Sequence, residues 1–241
     1  MDNRMAIIFI HGFMGCSAQF DELIEILGTK SVSFHKLVLP GHETDLSGFN
    51  KSRSRHWRQY VNESVEEICR SYDRVLIVGH SMGGLLAVNT SVSLPSDSQT
   101  RKKIIGIVAV SFPLALKFTF RCLKIRLGAI GKQKKNELAQ ITAARRFCGV
   151  SGINIFNSAL LIPNSLGLLG LINRTRKILP DTTVPITVIN SSDDEIVSCS
   201  TLKFVSRKLP EAKTFRLAES SHFWFPENEL EKIAELIKEY L

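Results

Sequence analysis

The feature that most constrains this chain is a turn in which three glycines surround one serine, Gly79-His80-Ser81-Met82-Gly83-Gly84. The apolar run Val75-Leu76-Ile77-Val78 leads into it, and an apolar helical pattern over residues 85–94 leads away. A strand that turns sharply into a helix brings two backbones close together, and small residues at the crossing make room for that approach. Strand, tight turn and helix are the repeating unit of an α/β fold, in which helices cover both faces of a parallel sheet. The rest of the chain keeps the same rhythm. Short apolar runs at 6–10, 32–39, 74–78, 103–110, 186–190 and 214–217 predict strands. Apolar residues at helical spacing predict helices over 17–27, 56–71, 82–94, 200–209 and 227–241.

One stretch breaks the rhythm. Residues 112–183 show no clear strand and read as several short helices inserted between two strands of the sheet. The expected organisation is therefore a core of residues 1–111 and 184–241, with 112–183 as a helical lid over the strand ends. Residues 147–173 carry no formal charge, yet Pro163, four asparagines and four glycines argue against a membrane span.

Composition narrows the partners. The chain has 241 residues, a length at which one α/β domain buries a sizeable core, and a net charge of +8. Twelve Lys or Arg against one acid, Glu137, fall between Arg101 and Arg146. No nucleic-acid recognition motif accompanies that charge, so nucleic acid is not an expected partner. Five scattered cysteines, never in a C-x-x-C pair, predict neither a disulfide framework nor a zinc site. The apolar run before His11 is too short for a signal-peptide core, so a cytoplasmic address is expected.

The residue types also suggest a chemistry. A serine hydroxyl is a weak nucleophile until a base takes its proton. Of six histidines, His11, His35, His42 and His56 precede the turn, and His80 adjoins Ser81 so that its side chain should point away. His222 follows the last predicted strand, where a loop can carry it back over Ser81. An acid to orient that imidazole is expected after the preceding strand, where Asp193, Asp194 and Glu195 stand side by side.

His11-Gly12-Phe13-Met14-Gly15, Leu39-Pro40-Gly41-His42, the serine turn, Asp194-Glu195-Ile196-Val197 and Ser221-His222-Phe223 together resemble the α/β-hydrolase superfamily. Within it the chain is most similar to bacterial carboxylesterases and monoacylglycerol lipases. The resemblance implies a doubly wound, mostly parallel sheet and a triad of Ser81, Asp194 and His222. Asp194 is preferred over Asp193 because the family pattern places an acidic residue or Pro, one further residue and a Val after the acid. It also implies an oxyanion hole formed by the amides of Phe13 and Met82, with no cofactor and no metal. Two positions depart from the pattern: Glu43 stands where many relatives have Gly, and Asn190-Ser191 where many have His-Gly.

The implied substrate is a short- to medium-chain ester, with monoacylglycerols among the candidates. A thioesterase or carbon–carbon lyase acting on an anionic substrate shares the triad, and a non-catalytic binding protein shares the fold. The segment 112–127 interleaves Leu114, Leu116, Phe118, Phe120, Leu123 and Ile125 with Lys117, Arg121 and Lys124, the bases at i, i+4 and i+7. Such a helix fits an anionic lipid surface, an acidic substrate head, or a plain cover with an apolar inside and a basic outside. The uncharged stretch 150–172 suits an apolar acyl pocket.

Overall fold

The computed structural model describes residues 4–28, 31–117, 119–131 and 133–241. The first strand, β1 (Met5–Ile10), runs into a 3-10 turn (Ser17–Phe20) and α1 (Asp21–Leu27). There follow β2 (Val32–Leu37), a two-residue β3 (Thr44–Asp45), α2 (Leu46–Lys51), α3 (Ser54–Ser71) and β4 (Arg74–His80). Next come α4 (Met82–Ser93), α5 (Gln99–Lys103) and β5 (Ile104–Val110). The inserted segment supplies α6 (Phe120–Ile130), α7 (Ala139–Arg146), β6 (Val150–Ser151) and α8 (Ile162–Ile178). The chain closes with β7 (Ile186–Ser191), α9 (Ser200–Lys208), β8 (Lys213–Leu217) and α10 (Glu227–Lys238).

Six strands form one sheet in the order β2-β1-β4-β5-β7-β8, every pair parallel. All six correspond to expected strands. Because neighbouring side chains on a strand face opposite ways, each strand serves two cores. Ile8 and Ile10 of β1 pack with Ile77, Ile107 and Val188 under Trp57, Val61 and Leu85 of α3 and α4. Ile7 and Phe9 pack with Leu76, Val78 and Val108 on the other face, beneath Leu23 of α1 and Ile233 and Ile237 of α10. Strands buried on both faces read as unbroken apolar runs, and for that reason the sequence showed them clearly.

The sequence did not predict the short elements. The pair β3–β6 tethers the inserted segment to the loop after β2 through Thr44–Val150 and Asp45–Ser151, so 112–183 does contain a strand, of two residues. Two residues are too few for any periodic signal. No helix among the described residues is long and apolar enough to cross a membrane.

The sheet order also locates the site. From β1 the chain moves outward to β2, then returns to β4 on the other side of β1. Loops leaving β1 and β4 diverge there, and a crevice opens at the carboxyl ends of the two strands. His11 follows β1 and Ser81 follows β4, so this crevice holds both.

Candidate active site

The turn after β4 is strained in the way its glycines suggest. Ser81 takes φ 52°, ψ −118°, a left-handed conformation that costs about 1–3 kcal/mol for a residue with a side chain. Close approach explains the neighbours. A Cβ on Gly83 would lie 1.9 Å from the Ile10 carbonyl oxygen, and one on Gly79 would lie 2.4 Å from the Gly83 backbone. The Ser81 amide donates to the Val110 carbonyl at 2.8 Å, which ties the strained residue to β5.

The structure brings Ser81, His222 and Asp194 together. His222 Nε2 lies 3.1 Å from Ser81 Oγ, and His222 Nδ1 lies 2.9 Å from Asp194 Oδ2. A carboxylate at Nδ1 selects the tautomer with Nδ1–H, leaving the Nε2 lone pair for the serine. All three residues are buried, Asp194 completely. The other Asp194 oxygen, Oδ1, accepts the amides of Ile196 at 2.8 Å and Val197 at 2.7 Å. Burial alone would raise the Asp194 pKa, but the His222 charge and these hydrogen bonds hold it below its ordinary value. For His222 burial again acts first and downward; the charge and hydrogen bond of Asp194 outweigh it and leave the pKa raised. Asp193 is turned elsewhere, into an ion pair with Arg121 on α6.

The turn after β1 lies against the nucleophile. A Cβ on Gly12 would sit 3.1 Å from Ser81 Cβ. The Met14 amide is taken by His42 Nε2 at 3.2 Å, whereas the Phe13 amide has no acceptor among the described residues. Met82 is the first residue of α4, and an amide there has no intrahelical acceptor. The helix N-terminus adds positive potential beside the Ser81 hydroxyl.

Three further imidazoles stand near the site, and burial keeps all of them neutral. Loss of solvation pushes His11 down to about 4, and His42 and His80 down to about 3. His11 Nε2 accepts the Leu39 amide at 3.1 Å, joining the first turn to the loop after β2. His80 Nε2 contacts the His222 carbonyl oxygen at 2.8 Å.

Several supporting roles escaped the sequence reading, which named Glu195 only as a candidate for the acid. Glu195, also buried, accepts the His222 amide at 3.1 Å. Glu229, in the first turn of α10, accepts the amides of Ala218, Glu219 and Ser220 and the Ser220 hydroxyl, holding the loop that carries His222. A glutamate early in the last helix was the one advance signal, and it reads equally as a favourable helix-end charge. The two departures from the family pattern have local roles. Glu43 accepts the Ser17 amide at 2.7 Å, while Asn190 makes a two-way hydrogen bond with the Phe112 backbone where the inserted segment begins.

The inserted segment corrects two expectations. Lys117 precedes α6 instead of sharing its face, and its amide donates to the Ile196 carbonyl at 2.8 Å. The outer side of α6 is not simply basic, since Phe120, Leu123, Leu127 and Ile130 are exposed there. Nor is 150–172 turned mainly inward, because Ile155, Phe156, Leu160, Ile162, Leu166 and Leu169 are exposed too. Phe118 lies outside the described residues. A cavity of about 330 Å³ is walled by His80, Phe147, Phe223, Trp224 and Phe225, with Arg146 and Glu22 also lining it. Ser81 does not line it. Among the described residues no group of three or more His, Cys, Asp or Glu is arranged to hold a metal.

A wholly parallel sheet with a serine on a strained strand-to-helix turn at its switch point, facing histidine and acid from the last two strand ends, defines an architectural class. The chain belongs to the alpha/beta hydrolase family, whose model matches residues 7–236. A pimeloyl-acyl-carrier-protein methyl ester esterase of Wigglesworthia glossinidia brevipalpis is 31% identical over 107 residues, 44% of this chain and 35% of that protein. A Mycoplasma pneumoniae protein provisionally named esterase/lipase 2 is 29% identical over 109 residues, 45% of this chain and 38% of its own length. The chain thus aligns with little more than a third of either relative. A solved monoacylglycerol lipase of Paleococcus ferrophilus shares the fold with a TM-score of 0.69 at 18% identity, over 99% of this chain and 96% of that one.

Proposed function

We propose that the protein is a serine hydrolase of carboxylic esters, acting on short- to medium-chain acyl esters, monoacylglycerols among them, through an acyl-enzyme on Ser81. The observation that carries this reading is the unbroken contact from Ser81 Oγ through both nitrogens of His222 to Asp194. In this reading Ser81 Oγ attacks the ester carbonyl while His222 Nε2 takes the hydroxyl proton, and the Asp194 charge stabilises the imidazolium that forms. The amides of Phe13 and Met82 receive the negative charge on the carbonyl oxygen. Collapse of that intermediate expels the alcohol with the proton from His222. Water, deprotonated by the same nitrogen, then releases the acid and restores the serine.

Residues 112–183 act in this reading as a lid over the core formed by 1–111 and 184–241. Two features support that role. Ile125 and Ile141 pack near Phe223, beside the base, and the Arg126 charge on α6 bears on the His222 ionisation. The names of the curated relatives, an esterase/lipase and a methyl ester esterase, support ester chemistry.

A fluorophosphonate probe tests the reading. The native chain should be labelled on Ser81, and Ser81→Ala should lose labelling while melting at the same temperature or higher. Labelling that persists in Ser81→Ala, or a native chain that never reacts, overturns it. Comparing p-nitrophenyl esters with acyl-CoA substrates separates an esterase from a thioesterase.

A further inference from the structure

Twelve large apolar side chains stand exposed among the described residues, and eleven of them lie between Phe120 and Leu169. A typical surface scatters such residues singly, so a concentration of this kind marks a surface that meets something apolar.

The concentration is ordered. Phe120, Leu123, Leu127 and Ile130 stand at i, i+3, i+7 and i+10 of α6, one continuous stripe. Phe120 is 94% exposed. The opposite side of the same helix buries Cys122 and Ile125. Packing therefore accounts for one apolar face of α6 and leaves the other without an intramolecular reason. Lys124 and Arg126, both exposed bases, border the outer stripe. On α8 the same arrangement recurs in Ile162, Leu166 and Leu169, opposite the buried Asn164, Leu171 and Thr175. Phe156, 94% exposed, stands in the loop before it.

Charge selects the occupant. Between residues 112 and 180 the sequence holds twelve Lys or Arg and one acid, Glu137; Arg145 pairs with Glu137, Arg121 with Asp193 and Arg146 with Glu22, which leaves the bases in excess. A second copy of the chain would set bases against bases, and an ordinary protein partner would need an acidic rim around an apolar centre. An anionic bilayer offers both features at once: hydrocarbon for Phe and Leu, and phosphate headgroups for the bases at their edges. We infer that the outer faces of α6 and of residues 155–169 form an interfacial surface that seats the molecule on an anionic lipid bilayer.

The α6 part of this surface lies beside the loop that carries Asp194. The start of the insertion is fastened to the loop that carries Asp194, by Arg121 to Asp193 and by the Thr119 hydroxyl to the Glu195 carbonyl at 3.2 Å. A bilayer under α6 therefore lies near the mouth of the serine site, where an ester with an apolar chain would enter.

Vesicle sedimentation tests the surface, with the full chain carrying Ser81→Ala so that no lipid is cleaved. Vesicles of equal parts phosphatidylcholine and phosphatidylglycerol should bind it more tightly than phosphatidylcholine alone, and salt should weaken the binding. Lys124→Glu changes two units of charge and should cost roughly twenty-fivefold, at about fivefold per unit. Phe120→Ser with Leu127→Ser should cost at least tenfold, as should the independent pair Ile162→Ser with Leu166→Ser, with melting temperatures at or above that of the parent. The inference is overturned if the parent binds neither vesicle, if both serine pairs bind like the parent, or if sedimentation velocity shows a dimer that the serine pairs dissolve. Hydrolysis of a dissolved p-nitrophenyl ester by the chain with Ser81 intact is measured separately. Its absence would sink the esterase reading and leave the vesicle result standing.

Discussion

The sheet and the inserted helices place their apolar side chains by opposite rules. All six residues of β1 are buried, as are those of β7, and each face of the sheet has helices to cover it. The segment between β5 and β7 instead leaves Phe120, Leu123 and Leu127 outside while burying Ile125 on the same helix. The sheet places its apolar groups to hold the fold; the insertion places some of them where the fold gains nothing. The two regions meet at the acid loop, where Asp194 faces His222 in the core and Asp193 faces Arg121 on α6. Adjacent carboxylates thus serve the two regions separately.

That contrast can be broken most directly at the acids. Asp194→Asn should lower kcat by about 10⁴, because an amide at this place permits the wrong imidazole tautomer. Asp193→Asn removes a partly exposed ion pair, worth about 1 kcal/mol or less, and should change kcat less than about fivefold. Steady-state kinetics on one soluble ester decides it, and equal losses at both positions would abolish the distinction.

Stability sharpens the comparison on a smaller scale. Ile8→Ala, within the sheet, should destabilise by about 2–5 kcal/mol. Leu123→Ala, on the outer stripe of α6, should stay within about 0.5 kcal/mol of the parent. Urea unfolding of both variants measures the difference. A large loss at Leu123 would mean that the stripe is part of the core after all.

The pH profile carries the finest contrast, between two buried imidazoles whose rings lie 5.0 Å apart. His80 has no carboxylate hydrogen-bond partner among the described residues and burial drives it down to about 3, whereas Asp194 leaves His222 raised. In the proposed mechanism His222 must be neutral to accept the Ser81 proton, so kcat/KM should rise with pH through a single ionisation centred above 6.5. His11 and His42, at about 4 and 3, stay uncharged across that range and add no second step. Asp194→Asn should move the residual profile to lower pH. A midpoint below 6.5 in the parent would contradict the sign.

Much of the architecture was legible in advance. Strands buried on both faces must be apolar throughout, and helices packed on one side must repeat at helical spacing, so β1, β4, β5, β7, α3 and α10 were visible from local pattern alone. The glycines around Ser81 were equally legible, because a backbone that approaches to within 1.9 Å of where a Cβ would sit admits no other residue. By contrast β3 and β6 are too short to leave a pattern, and Glu195 and Glu229 act through backbone amides remote in sequence.

By itself, then, the sequence determined the alternation of strands and helices, the strained serine turn and the stretch that interrupts them. These rest on periodicity and on steric limits that act over a few residues. The residues after Asp194 already favoured it as the partner of His222; tertiary structure alone decided that Asp193 turns to Arg121, and which face of α6 looks outward. Both outcomes depend on how a loop or helix is rotated against partners tens of residues away, and rotation leaves no trace in composition or spacing.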